Sequence, residues 1–153
     1  MEQGNKNQEI GQEVGRELST RMVMFHQAVA ERFGLTSTEH KCLDLLYRNG
    51  SMMAGQLAEL AGLTTGAITK IADRLEKAGF VVRERSEKDR RQVILHADPE
   101  RAKEIGEIFI TLSQAMYAVT SRYTEEERRV IHKYLMEMTA ILKEETRILQ
   151  RKQ

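Results

Sequence analysis

The sequence is poor in the features that mark secreted or membrane proteins. A single cysteine, Cys42, in 153 residues excludes an internal disulfide and any thiol-only zinc site, and fits a reducing compartment. One proline, no tryptophan and 5% aromatic residues point to a helix-rich chain. The longest charge-free stretch near the middle is residues 108–121, and its fourteen residues include Thr, Ser and Gln, too short and too polar to span a bilayer. The first twenty residues lack the apolar core of a signal peptide. A cytoplasmic protein with no membrane partner is expected. Charge of one sign is lacking too: 24 Lys and Arg against 23 Asp and Glu leave +1, so no overall basic charge advertises a polyanion. An enzyme would need a nucleophile with its base and orienting group, two set carboxylates, or a glycine loop for phosphate, and no such set is found. No catalytic activity and no cofactor is expected. What is present is 41% hydrophobic and 31% charged residues, enough for one domain with a proper core, or a small domain flanked by helices with another purpose.

From Ile10 the apolar residues Val14, Leu18, Met22, Phe25, Val29 and Phe33 recur every three or four positions, the stripe of one long amphipathic helix ending at Gly34. Thr36-Ser37-Thr38-Glu39 reads as a capping box that starts a second helix, with Cys42, Leu43 and Leu46 inward. Asn49-Gly50 stops it. A short helix from Gln56 to Ala61 buries Leu57, Ala58 and Ala61, and Gly62 supplies its left-handed closing residue. Thr64 caps a fourth helix with Ala67, Ile68, Ile71, Ala72 and Leu75 inward, closed by Gly79. The period then changes. Residues 80–85 and 92–96 are short β-rich runs that predict a two-stranded hairpin. Asp98-Pro99 launches a helix carrying Ile105, Ile108, Phe109, Leu112, Met116 and Val119 on one side. A second capping box, Thr124 to Glu127, starts a last helix whose stripe runs through Ile131, Leu135, Met138, Leu142 and Leu149.

Two short helices joined at Ala61-Gly62-Leu63-Thr64, the second leading straight into a charged hairpin, make a helix-turn-helix with a wing. The expected fold class is mainly α with a small β-hairpin wing: residues 1–34 an N-terminal helix, 35–97 the winged helix-turn-helix domain, 98–153 C-terminal helices. The free face of the second short helix holds Thr65, Gly66, Thr69, Lys70, Asp73 and Arg74. The threonines can donate to bases or phosphates or touch a thymine methyl, and Lys70 and Arg74 can neutralise phosphate or read guanine. Thr64 serves as well for a helix cap as for a DNA contact. Gly66 permits close backbone approach near the helix N-terminus, where exposed N–H groups favour an anion. Residues 64–91 carry eight basic side chains against five acidic, a net +3 in a chain whose remainder is −2. Arg83, Arg85, Lys88, Arg90 and Arg91 put much of that charge on the wing, where Asp89 can hold an arginine extended towards a narrow minor groove. Double-stranded DNA is the expected partner.

With Leu57-Ala58, the run from Leu63 to Lys70, the run from Asp73 to Val81 and the wing Asp89-Arg90-Arg91, nearly the whole chain resembles the MarR family of bacterial winged-helix regulators. The family's wing pattern, aspartate, any residue, arginine, is matched by Asp89 and Arg91, so the resemblance makes Arg91 the minor-groove residue and Asp89 its positioner. It implies a repressor that binds pseudo-palindromic DNA as a homodimer with interlocked first and last helices, and a small-molecule effector site. The residues agree on the dimer, because the first and last helices carry more apolar surface than the winged domain could cover. Phe25, His26 and Tyr47 are the nominees for the effector site, although core and dimer packing accounts for most of the methionines. Some members use a peroxide-sensing cysteine in the first helix, but Cys42 sits among apolar neighbours in the second and reads as core. Glu39-His40 matches the adjacent pair of zinc-responsive members, yet residues 99–121 supply no histidine and capping explains Glu39, so no metal site is expected. A winged-helix module that binds protein instead of DNA is the alternative.

Overall fold

The computed structural model describes residues 2–86 and 92–151. The wing-tip candidates Lys88, Asp89, Arg90 and Arg91 lie outside the described residues. Among the described residues, six helices and three short strands follow in the order α1 (Glu2–Arg32), α2 (Ser37–Asn49), β1 (Met52–Met53), α3 (Ala54–Ala61), α4 (Thr65–Lys77), β2 (Val81–Arg85), β3 (Val93–Ala97), α5 (Pro99–Thr120) and α6 (Glu125–Arg151). The chain divides into two units, Met1–Ala102 and Lys103–Gln153.

In the first unit, local chemistry sets the joints. The Thr36 hydroxyl accepts the Glu39 N–H at 3.2 Å while the Glu39 carboxylate accepts the Thr36 N–H at 2.8 Å, a complete capping box at the head of α2. Gly62 ends α3 at φ 68° and ψ 37°, a left-handed conformation that costs a side-chain-bearing residue more than glycine. Thr64 then caps α4 by accepting the Ala67 N–H at 3.2 Å. The Lys41 ammonium donates to the Ala61 carbonyl at 3.0 Å, satisfying a carbonyl at the end of α3 that the helix itself leaves open.

The inward positions expected of α2, α3 and α4 meet in one core. Leu46, Leu57, Ile68, Leu75, Leu95 and Cys42 are all under 2% exposed, and each large aliphatic side chain there contributes about 1.5–3 kcal/mol of transfer free energy. Ala58 and Ala61 are 5% exposed; their small side chains suit the sharp α3–α4 turn. The wing differs from expectation in one respect. Instead of a two-stranded hairpin, the sheet has three antiparallel strands in the order β1-β3-β2, because Met52 and Met53 pair with Leu95 and Ile94. The pairing anchors the root of the wing beside α3. Along β2 and β3 the register runs from Val81↔Ala97 to Arg85↔Val93, and the Ser86 N–H donates to the Gln92 carbonyl at 3.0 Å where the strands leave the sheet.

In the second unit α6 begins with the expected second capping box, Thr124 N–H to the Glu127 carboxylate at 2.8 Å and Glu127 N–H to the Thr124 hydroxyl at 3.3 Å. Most of its apolar side chains stay exposed, among them Leu135, Leu142 and Leu149, while Ile131 and Ile148 are half-buried. Among the described residues no helix is long and apolar enough to cross a membrane.

Candidate nucleic-acid interface

Helix α4 turns Ile68, Ala72 and Leu75 into the core. With those three fixed, the helical period brings Thr65, Gly66, Thr69, Lys70, Asp73 and Arg74 onto the opposite arc, and all six are exposed. Thr64 is drawn into the cap, which settles its first role as structural. The Thr69 hydroxyl donates to the Thr65 carbonyl at 3.0 Å, a bond that leaves its methyl and its lone pairs outward. Among the described residues, a Cβ added at Gly66 would meet no atom within 4 Å, so none of them requires glycine there.

The arc is bordered on two sides by arginines that the structure engages internally. On the wing side, Arg83 of β2 reaches back across α4. One Nη donates to the Thr69 carbonyl at 3.2 Å and pairs with Asp73 at 2.5 Å, and Nε lies 3.4 Å from Glu76. Arg83 thereby offsets part of the negative charge of Asp73, on the expected DNA-facing arc, and of Glu76 beside it, and links β2 to α4. Exposed pairs of this kind contribute little stability. On the other side, Arg74 Nε meets Glu39 of α2 at 2.8 Å, and the Glu39 side chain is only 3% exposed while that of Arg74 is 66% exposed. Lys70 and Arg85 remain exposed and carry no ion pair among the described residues. At the base of the wing His96 Nε2 lies 3.1 Å from a Glu84 carboxylate oxygen.

The six residues that the helical period leaves outward are exposed together, and the ion pairs around them are not readable from the period. Glu39 was read as a cap alone, although its second oxygen is the anchor of Arg74. Asp73 and Arg83 were both read as facing DNA, whereas each is the other's partner. Opposite charges on neighbouring elements were the available signal, and they carry no information about which pairs close until the helix–wing angle is known.

The nominees for an effector site are only partly brought together. Phe25 and His26 stand edge-on with ring centroids 5.9 Å apart near the end of α1, and His26 Nδ1 lies 3.3 Å from Nε2 of His40 on α2. His40 is 2% exposed. Burial, and then the neighbouring His26, hold its imidazole below the ordinary histidine value, with Asp44 acting in the opposite sense. Tyr47 is exposed two turns further along α2. Cys42, fully buried, has its thiol pushed up by burial, the mark of an inert core cysteine. Among the described residues no group of three or more His, Cys, Asp or Glu could hold a metal ion.

Comparison with known proteins supports a nucleic-acid reading of this geometry. A model of the MarR family matches residues 35–93, the segment from the α1–α2 joint through the start of β3. YcgE of Bacillus subtilis strain 168, an uncharacterized HTH-type transcriptional regulator, is 42% identical over 130 residues, spanning 85% of this chain and 84% of that protein. A single-substitution mutant of S. aureus MepR, solved bound to an oligodeoxyribonucleotide, superposes with a TM-score of 0.60 at 17% identity over 86% of this chain and 96% of the other. NadR, solved in complex with 4-hydroxyphenylacetate, superposes with a TM-score of 0.60 at 26% identity over 82% of this chain and 89% of the other.

Proposed function

Because the chain belongs to the MarR family of transcriptional regulators, we propose that it acts as a homodimeric repressor binding pseudo-palindromic duplex DNA. In this reading α4 enters the major groove with Thr65, Gly66, Thr69 and Lys70, and Arg74 and Arg85 contact backbone at its margins. The wing tip supplies Lys88, Arg90 and Arg91, with Arg91 in the minor groove and Asp89 as its positioner, as the family resemblance implies. The two winged domains of the dimer would sit about one helical turn, ~34 Å, apart along the duplex. Dimerisation would use residues 1–34 and 98–153, whose stripes expose Val14 at 62%, Leu18 at 53% and Leu142 at 62%; a second copy would cover them in an isologous interface.

One observation carries the DNA reading: the exposed arc of α4 keeps Lys70 and its hydroxyls outward while Arg83 pairs with the acidic residues beside them and offsets part of their charge. A helix face that would otherwise repel phosphate is made acceptable to it. MepR, bound to an oligodeoxyribonucleotide in its own structure, and NadR, bound to 4-hydroxyphenylacetate in its own, support extending the proposal to DNA and to release by a small ligand. Phe25 and His26 are the nominees for that ligand.

The test is binding to duplexes selected by the protein from random-sequence DNA, followed at several salt concentrations. Affinity should fall as salt rises, and Lys70→Ala should reduce the slope of log K against log salt by about 1.8, roughly 0.9 for each of the two subunits. Thr69→Ala should shift base preference with the slope unchanged. Binding to no duplex at any salt would favour the winged-helix protein-interaction module instead.

A further inference from the structure

Among the exposed cations of α4, Arg74 is the one that the structure gives a buried partner. Glu39 divides its two oxygens: Oε2 accepts from the Thr36 N–H at 2.8 Å and from the Thr36 hydroxyl at 2.9 Å, and Oε1 meets Arg74 Nε at 2.8 Å. The carboxylate is therefore held by the capping box before the arginine arrives. A carboxylate fixed in this way, 3% exposed, forms an ion pair with the guanidinium at its Nε. The Arg74 side chain is 66% exposed, and among the described residues its guanidinium makes no other ion pair, which leaves donors for an acceptor outside the chain. Arg74 also stands four residues after Lys70 on α4, one turn along the same exposed arc.

We propose that Glu39 is a positioning residue for DNA binding: it orients Arg74 so that the outer edge of the guanidinium clamps a backbone phosphate next to the one that Lys70 contacts. The inference rests on the DNA reading above and extends it to a residue outside the helix-turn-helix. The physical argument is preorganisation. An arginine free on a helix surface must give up rotamer freedom when it binds a phosphate, whereas one already tethered by Nε has given up much of it in the folded protein. Arginine suits this relay and lysine does not, because only the planar guanidinium can meet a carboxylate on one edge and a phosphate on another.

A double-mutant cycle on the full chain tests this, with a fluorescently labelled duplex selected by the parent protein as probe. Arg74→Ala should weaken binding at least tenfold and lower the slope of log K against log salt by about 1.8, roughly 0.9 for each of the two subunits. Glu39→Gln keeps the length of the side chain and an oxygen for the cap but removes the charge that holds Arg74; it should weaken binding several-fold alone and change nothing further in the Arg74→Ala background. Arg74→Lys should preserve the salt slope and become insensitive to Glu39→Gln. The slope matters because a fall in the folded fraction lowers apparent affinity without altering it, and circular dichroism of each variant reports folding separately. If Arg74→Ala lowers the melting temperature but leaves the slope intact, the pair merely staples α2 to α4 and the proposal is wrong. Additive losses for Glu39 and Arg74 would also overturn it. Should Lys70→Ala lower the slope when Arg74→Ala does not, this inference fails while the DNA reading stands; a parent that binds no duplex removes both.

Discussion

In α4, Ile68, Ala72 and Leu75 are 0%, 3% and 1% exposed, whereas in α6 Val130, Leu142 and Leu149 are 69%, 62% and 66% exposed. Both helices are amphipathic by pattern. The difference is that α4 lies in a unit whose small helices and sheet close around a common core, while α6 carries its stripe for 27 residues with no described residue buried. The same hydrophobic periodicity therefore has two outcomes, a core already formed in one region and an exposed apolar face in the other. Soluble monomers rarely leave apolar area of this extent uncovered, which is why a second copy belongs to the proposed function.

The comparison breaks most sharply at α6. Replacing Leu135 and Leu142 together by Glu should convert a dimer into a monomer in sedimentation equilibrium at micromolar concentration. In an isologous interface each substitution counts twice, and at about 1.5 kcal/mol or more per buried leucine the loss is about 6 kcal/mol or larger. A double variant that sediments as the parent does would show that α6 is not the interface. The opposite experiment belongs in α4. Ile68→Ala should cost about 2–5 kcal/mol in urea denaturation, by lost transfer energy and the cavity left behind, with the assembly state of the folded protein unchanged. If α4 tolerated the deletion at less than about 1 kcal/mol, the contrast between a closed and an open region would be lost.

How much of this was legible beforehand depends on the range of the interactions involved. Helix starts were readable because the capping box at Thr36–Glu39 and the one at Thr124–Glu127 are encoded within four residues. The turn at Gly62 was readable for the same reason. The inward residues of α4 followed from a period alone, and the exposed arc was what that period left over. Strand β1 was not legible, since Met52-Met53 is two residues long and exists only because β3 comes alongside. The Glu39–Arg74 and Asp73–Arg83 pairs were hidden likewise: each joins elements whose relative placement no local rule supplies. Buried His40 is a third case, because the pattern that faces Cys42, Leu43 and Leu46 inward does not reveal that His26 of α1 closes over the first turn of α2.

His40 offers the smallest and finest test, inside the closed region itself. Because burial and His26 keep its folded-state pKa below the unfolded value of about 6.5, the unfolded chain binds more protons than the folded one just below that pH. Stability should thus be at its full value above about pH 6.5 and decline as the pH falls from there towards the folded-state pKa. The groups that set the effect are His26 on α1, which opposes protonation, and Asp44 on α2, which favours it. In melting experiments from about pH 7.5 to about pH 5.5 the parent should lose melting temperature, and His40→Gln, which cannot titrate, should lose less. Equal losses in the two proteins would mean that the imidazole gains enough water or counter-charge on protonation to escape the cost. The first turn of α2 would then belong with the open region rather than the closed one.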